Sequence, residues 1–134
     1  MNNKGFTLIE LLLSIALIAI ISLIITPTIA NVIKNNKIES CKKLFDSVEQ
    51  AAKTYVSDNR YNITSAFSGL SNSCTNIKNG CNITASELKT KGYISGELNN
   101  PLTKNTLDIT VTVKLESNKK YTYTVSPTSS VICQ

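Results

Sequence analysis

The 134-residue sequence contains no His, no Trp, a single Met and only nine carboxylates. Without His there is no imidazole to serve as general base or metal ligand, and scattered carboxylates leave little for acid–base chemistry. Most enzyme classes are thereby excluded, and neither a cofactor nor a metal is expected. Arg occurs once, at Arg60, and the Lys residues are adjacent only at Lys42-Lys43 and Lys119-Lys120. A dedicated nucleic-acid binder clusters its basic residues and uses Arg to reach bases and phosphates. The formal charge of +5 therefore reads as a solvated, mildly basic surface. It leaves room for weak, salt-sensitive attraction to DNA or anionic surfaces. Charge is missing altogether from the 23 residues Leu11 to Ile33.

That uncharged run would be about 35 Å long as a helix, the hydrocarbon thickness of a bilayer. Three readings compete: a secretory signal peptide cleaved after Ala30, a permanent single-span anchor, or a segment that lies in a membrane and later leaves it. The run exceeds a normal signal-peptide core, and Glu10 stands at its head. A carboxylate there is also out of place in a plain anchor unless it lies at the interface or has a partner.

The residues around Glu10 are specific. Lys4-Gly5-Phe6-Thr7-Leu8-Ile9-Glu10-Leu11-Leu12 resembles the prepilin motif of type IV pilins and of type II secretion pseudopilins. The close resemblance covers Lys4 to Ala30. It implies a leader, residues 1–5, removed by a prepilin peptidase between Gly5 and Phe6, followed by N-methylation of Phe6. It also implies that Glu10 is the charge used in assembly, paired with the new amine of its own or a neighbouring chain. Pro27 sits where many members carry a helix-bending proline, and lacking an N–H it would loosen the helix near Leu23 to Pro27. The partners implied are prepilin peptidase, the pilus assembly machinery, the membrane before assembly, and other pilin subunits in a homopolymer.

Beyond Lys34 the pattern changes. Ile38, Cys41, Phe45, Val48, Ala52 and Tyr55 follow steps of three and four, while Lys42, Lys43, Asp46, Glu49 and Lys53 fall largely opposite. This predicts an amphipathic continuation of the helix to about residue 58, with helix-spaced ion pairs. Asn62 to Cys81, dense in Ser, Asn, Gly and Thr, reads as a loop. Thr84-Ala-Ser-Glu87 reads as a capping box opening a short helix that Gly92 stops. Leu107–Glu116 and Tyr121–Val125 alternate apolar and polar around Ser117-Asn118-Lys119, the pattern of a β-hairpin, and Val131-Ile132-Cys133 reads as a last short strand. The stretch from Leu88 to Leu102 also resembles one frequent in pilin-like proteins of Gram-positive bacteria.

Four Cys in a small polar domain suit an oxidising exterior and two disulfides. Three pairings are possible. The one expected here staples Cys74 to Cys81 and ties Cys41 on the helix to Cys133 at the C-terminal end. A four-thiolate metal site is disfavoured because no CxxC occurs. Asn62-Ile-Thr64 and Asn82-Ile-Thr84 match the glycosylation sequon, but chance matches are common in so Asn- and Thr-rich a chain.

The expected architecture is α+β. A leader (1–5) precedes a transmembrane or filament-core helix half (6–33) and a globular pilin domain (34–134). Within that domain, a loop and short helix occupy 59–106 and an antiparallel sheet 107–134. The expected function is a structural subunit of a type IV pilus, single-pass in the cell membrane before assembly and an extracellular filament after it. The alternatives are a pseudopilin of a secretion or competence system, or a single-span surface or binding protein that never polymerises. Type II secretion pseudopilins often carry acidic calcium-binding loops, and no cluster of Asp or Glu occurs here.

Overall fold

The computed structural model describes residues 5–72 and 74–134, without the side chains of residues 26 and 27. The fold is α+β: a long N-terminal helix packs against a small three-stranded antiparallel sheet. Helix α1 runs Leu8–Asp58. No Gly interrupts that span, and Pro27 is its only proline. At its end the Asn59 backbone and side-chain amides both donate to the Tyr55 carbonyl, at 3.1 and 2.8 Å, using up an acceptor the helix would leave open. The chain divides into two compact units, Met1–Asn36 and Lys37–Gln134.

The described part of the first unit is the apolar part of α1, and its large hydrophobic side chains are exposed from Phe6 to Ile33. Three of its hydroxyls are satisfied within the helix. Ser14 donates to the Leu11 carbonyl at 2.8 Å, Ser22 to Ile18 at 2.7 Å and Thr28 to Ile24 at 3.5 Å. Back-bonding of this kind lets Ser and Thr sit in an apolar environment without stranding a donor.

The second unit is built on the amphipathic stripe. Cys41, Phe45, Val48, Ala52, Tyr55 and Val56 are buried on α1, each at most 4% exposed. Two ion pairs decorate the polar face, Glu39–Lys43 at 2.8 Å and Glu49–Lys53 at 2.7 Å. Being exposed, each contributes only a few tenths of a kcal/mol. The sheet has the order β1-β2-β3, with β1 Cys81–Thr84, β2 Thr110–Leu115 and β3 Tyr121–Ser126. β1 pairs with β2 through Cys81↔Val113 to Thr84↔Thr110, and β2 with β3 through Thr110↔Ser126 to Leu115↔Tyr121. That register puts Ile83, Val111 and Val113 on the buried face.

Short elements close the core. Helix α2 (Ile63–Ser68) follows α1 and buries Phe67. Phe67 and Tyr93 both meet the Tyr55 ring edge to face, at 5.6 and 5.3 Å, and the Tyr55 hydroxyl donates to the Ala66 carbonyl at 2.8 Å. Helix α3 (Ala85–Thr90) opens on Thr84 with both halves of the capping box formed. It closes in a Schellman motif: Gly92 N–H donates to Lys89 and Tyr93 N–H to Leu88, with Gly92 at φ +83°. Helix α4 (Ser129–Ile132) ends the chain's regular structure.

Three expectations are corrected. The span 62–81 is not simply a loop, since it holds α2 and a single 3-10 turn at Ile77–Asn79. Buried Phe67 and Ile77 anchor it. The sheet is not confined to 107–134, because β1 at Cys81–Thr84 forms one of its edges. Finally, residues 131–133 are not a strand. Ser129–Ile132 is helical, and its backbone is fixed by the Cys133 disulfide and by Asn100, whose side-chain amide donates to the Ile132 carbonyl at 3.5 Å.

Candidate assembly and processing site

Gly5, Phe6 and Thr7 lead into α1 without regular structure, and Phe6 is 84% exposed. Among the described residues, a Cβ built on Gly5 would meet nothing within 4 Å. Packing among the described residues therefore places no demand for glycine at this position. If glycine is required there, the requirement comes from another molecule.

Glu10 lies in the first turn of α1 and folds back on Thr7. Its Oε2 accepts from the Thr7 backbone N–H and from the Thr7 hydroxyl, both at 2.9 Å, and the Glu10 N–H donates to Thr7 Oγ1 at 3.3 Å. This is a capping box, with Thr7 at the N-cap and Glu10 three residues on. It satisfies donors that a helix start exposes, and it sets the carboxylate where the positive end of the helix dipole favours it. Both bonds fall on one oxygen. Among the described residues Oε1 has no hydrogen-bond or ionic partner, so the group retains an open acceptor beside the Gly5-Phe6 junction. The sequence reading of Glu10 missed its local partner, although Thr7-Leu-Ile-Glu10 is the same Thr-x-x-Glu pattern recognised at Thr84–Glu87.

The other expected site residues lie elsewhere. Position 27 is helical, within α1; the Pro27 side chain falls outside the described residues, as do residues 1–4 of the expected leader. Cys41 and Cys133 are bonded, with Cα atoms 5.7 Å apart, joining α1 to the segment after α4. Cys74 and Cys81 are bonded at a Cα distance of 5.4 Å, closing the Asn- and Gly-rich turn that leads into β1. Gly80, at φ +93°, lets that turn pass close to Thr112, whose Cγ2 would lie 3.3 Å from a Cβ there.

The described residues hold one helix long and apolar enough to cross a membrane, α1, and none of the apolar window that qualifies it is buried. A helix exposing so much apolar surface needs lipid or protein around it. No curated protein and no solved structure matches the chain. Residues 1–26 match the family model of the prokaryotic N-terminal methylation motif. The chain thus carries the prepilin signal of type IV pilins and pseudopilins, which points to a pilin-like structural protein, not an enzyme, anchored in the membrane before assembly.

Proposed function

We propose that the chain is a structural subunit of a type IV pilus that polymerises through the apolar half of α1. One observation carries this reading: the Gly5-Phe6 junction precedes, by one helical turn, a carboxylate with one oxygen unpartnered among the described residues, at the head of a helix whose large hydrophobic side chains are exposed as far as Ile33. Prepilin peptidase would cut after Gly5 and leave an amine on Phe6, which is then methylated. A cationic amine in or beside a bilayer needs an anionic partner. Glu10 Oε1 offers one while Oε2 stays on Thr7. When the amine belongs to a neighbouring subunit, this contact gives attraction and axial register to an interface that is otherwise apolar and poorly directional. Pro27 would loosen the helix locally as it moves from lipid into a filament. The membrane holds the subunit before the assembly machinery extracts it, and the filament is extracellular. Motility, adhesion and DNA uptake are the roles such a filament could serve.

The processing step is tested by substitution at the junction. A Cβ at Gly5 meets no described atom within 4 Å, so Gly5→Leu should leave folding of the outer unit unchanged while the leader stays attached and filaments are lost. Mass spectrometry of the mature N-terminus should give N-methylated Phe6 for the wild type. Met1 instead would indicate a plain anchor, and Asn31 a secreted protein.

A further inference from the structure

The uncharged run of α1 gives way to lysine. Four lysines and one carboxylate, Glu39, fall within the ten residues 34–43. Lys34, Lys37, Lys42 and Lys43 are all exposed. Among the described residues only Lys43 has a carboxylate partner, Glu39 at 2.8 Å. Lys37 stands one turn before Cys41, where burial on α1 begins, so the core stops short of it. The other flank of the run is bare. Once a leader ending at Gly5 is lost, no Lys or Arg precedes Lys34, and the one charged side chain left there is Glu10. Membrane proteins ordinarily carry their excess of Lys and Arg on the cytoplasmic flank of a span. Here two disulfides suit an oxidising exterior for the residues after the run, which puts the lysines on the outer flank. The usual orientation rule therefore gives no reason for them.

We propose that these lysines, led by Lys34 and Lys37, form a collar that binds the headgroups of anionic phospholipids at the outer face of the bilayer. Such a collar acts only if residues 11–33 span the membrane before assembly, as proposed above for this subunit. Lys34 follows the run directly and Lys37 comes three residues later. Long lysine side chains reach the headgroup layer from positions just outside the hydrocarbon. A lysine ammonium is a compact point charge that suits the phosphate of a mobile headgroup, and no Arg fork is present here to grip one headgroup in a set geometry. The collar is therefore selective for headgroup charge and not for headgroup shape. It holds the unassembled subunit at a fixed depth, and extraction into a filament must break it.

The test uses the full chain in phosphatidylcholine vesicles, carrying Lys4→Gln so that lysines flank the run on one side alone. Electron spin resonance of spin-labelled phosphatidylglycerol and phosphatidylcholine reads which lipid the chain holds beside it. One lysine against an anionic headgroup gives about a fivefold preference. Lipids at the lysine-free flank dilute it, so phosphatidylglycerol should be preferred by at least about twofold at low salt. The preference should vanish at about 1 M salt, where the Debye length is about 3 Å. Lys34→Gln with Lys37→Gln should remove most of it. Lys119→Gln with Lys120→Gln takes the same charge from the turn between β2 and β3 and should leave it intact. Spin-labelled phosphatidylserine should be held as tightly as phosphatidylglycerol, and a marked difference between the two would overturn the selectivity for charge alone. Equal loss from both double variants would overturn the collar, as would equal holding of phosphatidylglycerol and phosphatidylcholine by a chain that resists alkaline carbonate extraction. A chain that carbonate strips from the vesicles does not span them, which would overturn the reading of residues 11–33 and the collar with it.

Discussion

Glu10 and Glu87 make the same local arrangement at two helix starts, each accepting from the backbone and hydroxyl of a Thr three residues earlier. They differ in what else they touch. Glu87 also accepts from the Ser71 backbone N–H at 2.7 Å through Oε1, so it pins the segment after α2 to the start of α3. Both its oxygens are engaged, whereas among the described residues Glu10 keeps one open. Partial burial raises the Glu87 pKa, but the bonds from Thr84 and Ser71 outweigh it and hold the group below its ordinary value of 4.5. The folded-state pKa thus lies below the unfolded one, so the unfolded chain takes up the proton first. The stabilisation is fully present above pH 4.5 and is lost as pH falls through the lower folded value. Glu87→Gln should lower stability at neutral pH and make acid unfolding shallower below pH 4.5, as read by urea unfolding at several pH values. Parallel curves for variant and wild type would show that this carboxylate contributes nothing to the pH dependence. At this scale the capping box at Thr84 was plain in sequence. The bond from Ser71 was not, because it joins residues 16 apart and no local pattern announces such a contact.

Among the elements, the clearest ones in sequence were those with a sustained period. The amphipathic stripe of α1 and the alternation of β2 and β3 each run long enough for burial of one face to be the simplest reading. β1, α2 and α4 are four, six and four residues long, too short to display a period. Tertiary contacts decide them: β1 is a strand because Ile83 packs into the core beside β2, and α2 is ordered by Phe67 against Tyr55. The β-branched Val131 and Ile132 favour a strand by propensity, yet the tether at Cys133 holds the segment in a helical turn. The two disulfides constrain loops of very different length, with partners 92 and 7 residues apart. In the chain-entropy model, closing such loops stabilises by about 4.6 and about 2.5 kcal/mol respectively. Replacing Cys41 and Cys133 together by Ala should therefore cost more than replacing Cys74 and Cys81. The measurement is the urea midpoint of the full chain in mild detergent. A larger loss from the Cys74–Cys81 pair would show that the short staple acts by fixing native packing at the entry to β1 and not through chain entropy.

For the whole molecule, the difference between its two units is what covers their apolar surface. Lys37–Gln134 buries its own around Val48, Ile83, Leu88 and Ile109, while residues 6–33 bury none of their large hydrophobic side chains. A lipid bilayer could cover that surface, and so could neighbouring copies of the same helix; the two differ in what they ask of Glu10. In lipid the capped carboxylate is an expense with no return beyond starting the helix. Against a neighbour's amine its open oxygen sets the docking register. Glu10→Gln separates these cases, because glutamine can keep the capping box with Thr7 while the charge is lost. The variant should insert, lose its leader and fold its outer unit as the wild type does. The measurement is sheared filament relative to processed subunit remaining in the membrane. If Glu10 directs assembly, that ratio should fall to about a tenth of wild type or less, the scale on which one charge-assisted contact alters an equilibrium. A wild-type ratio would contradict it and leave Glu10 as a helix cap at the membrane surface.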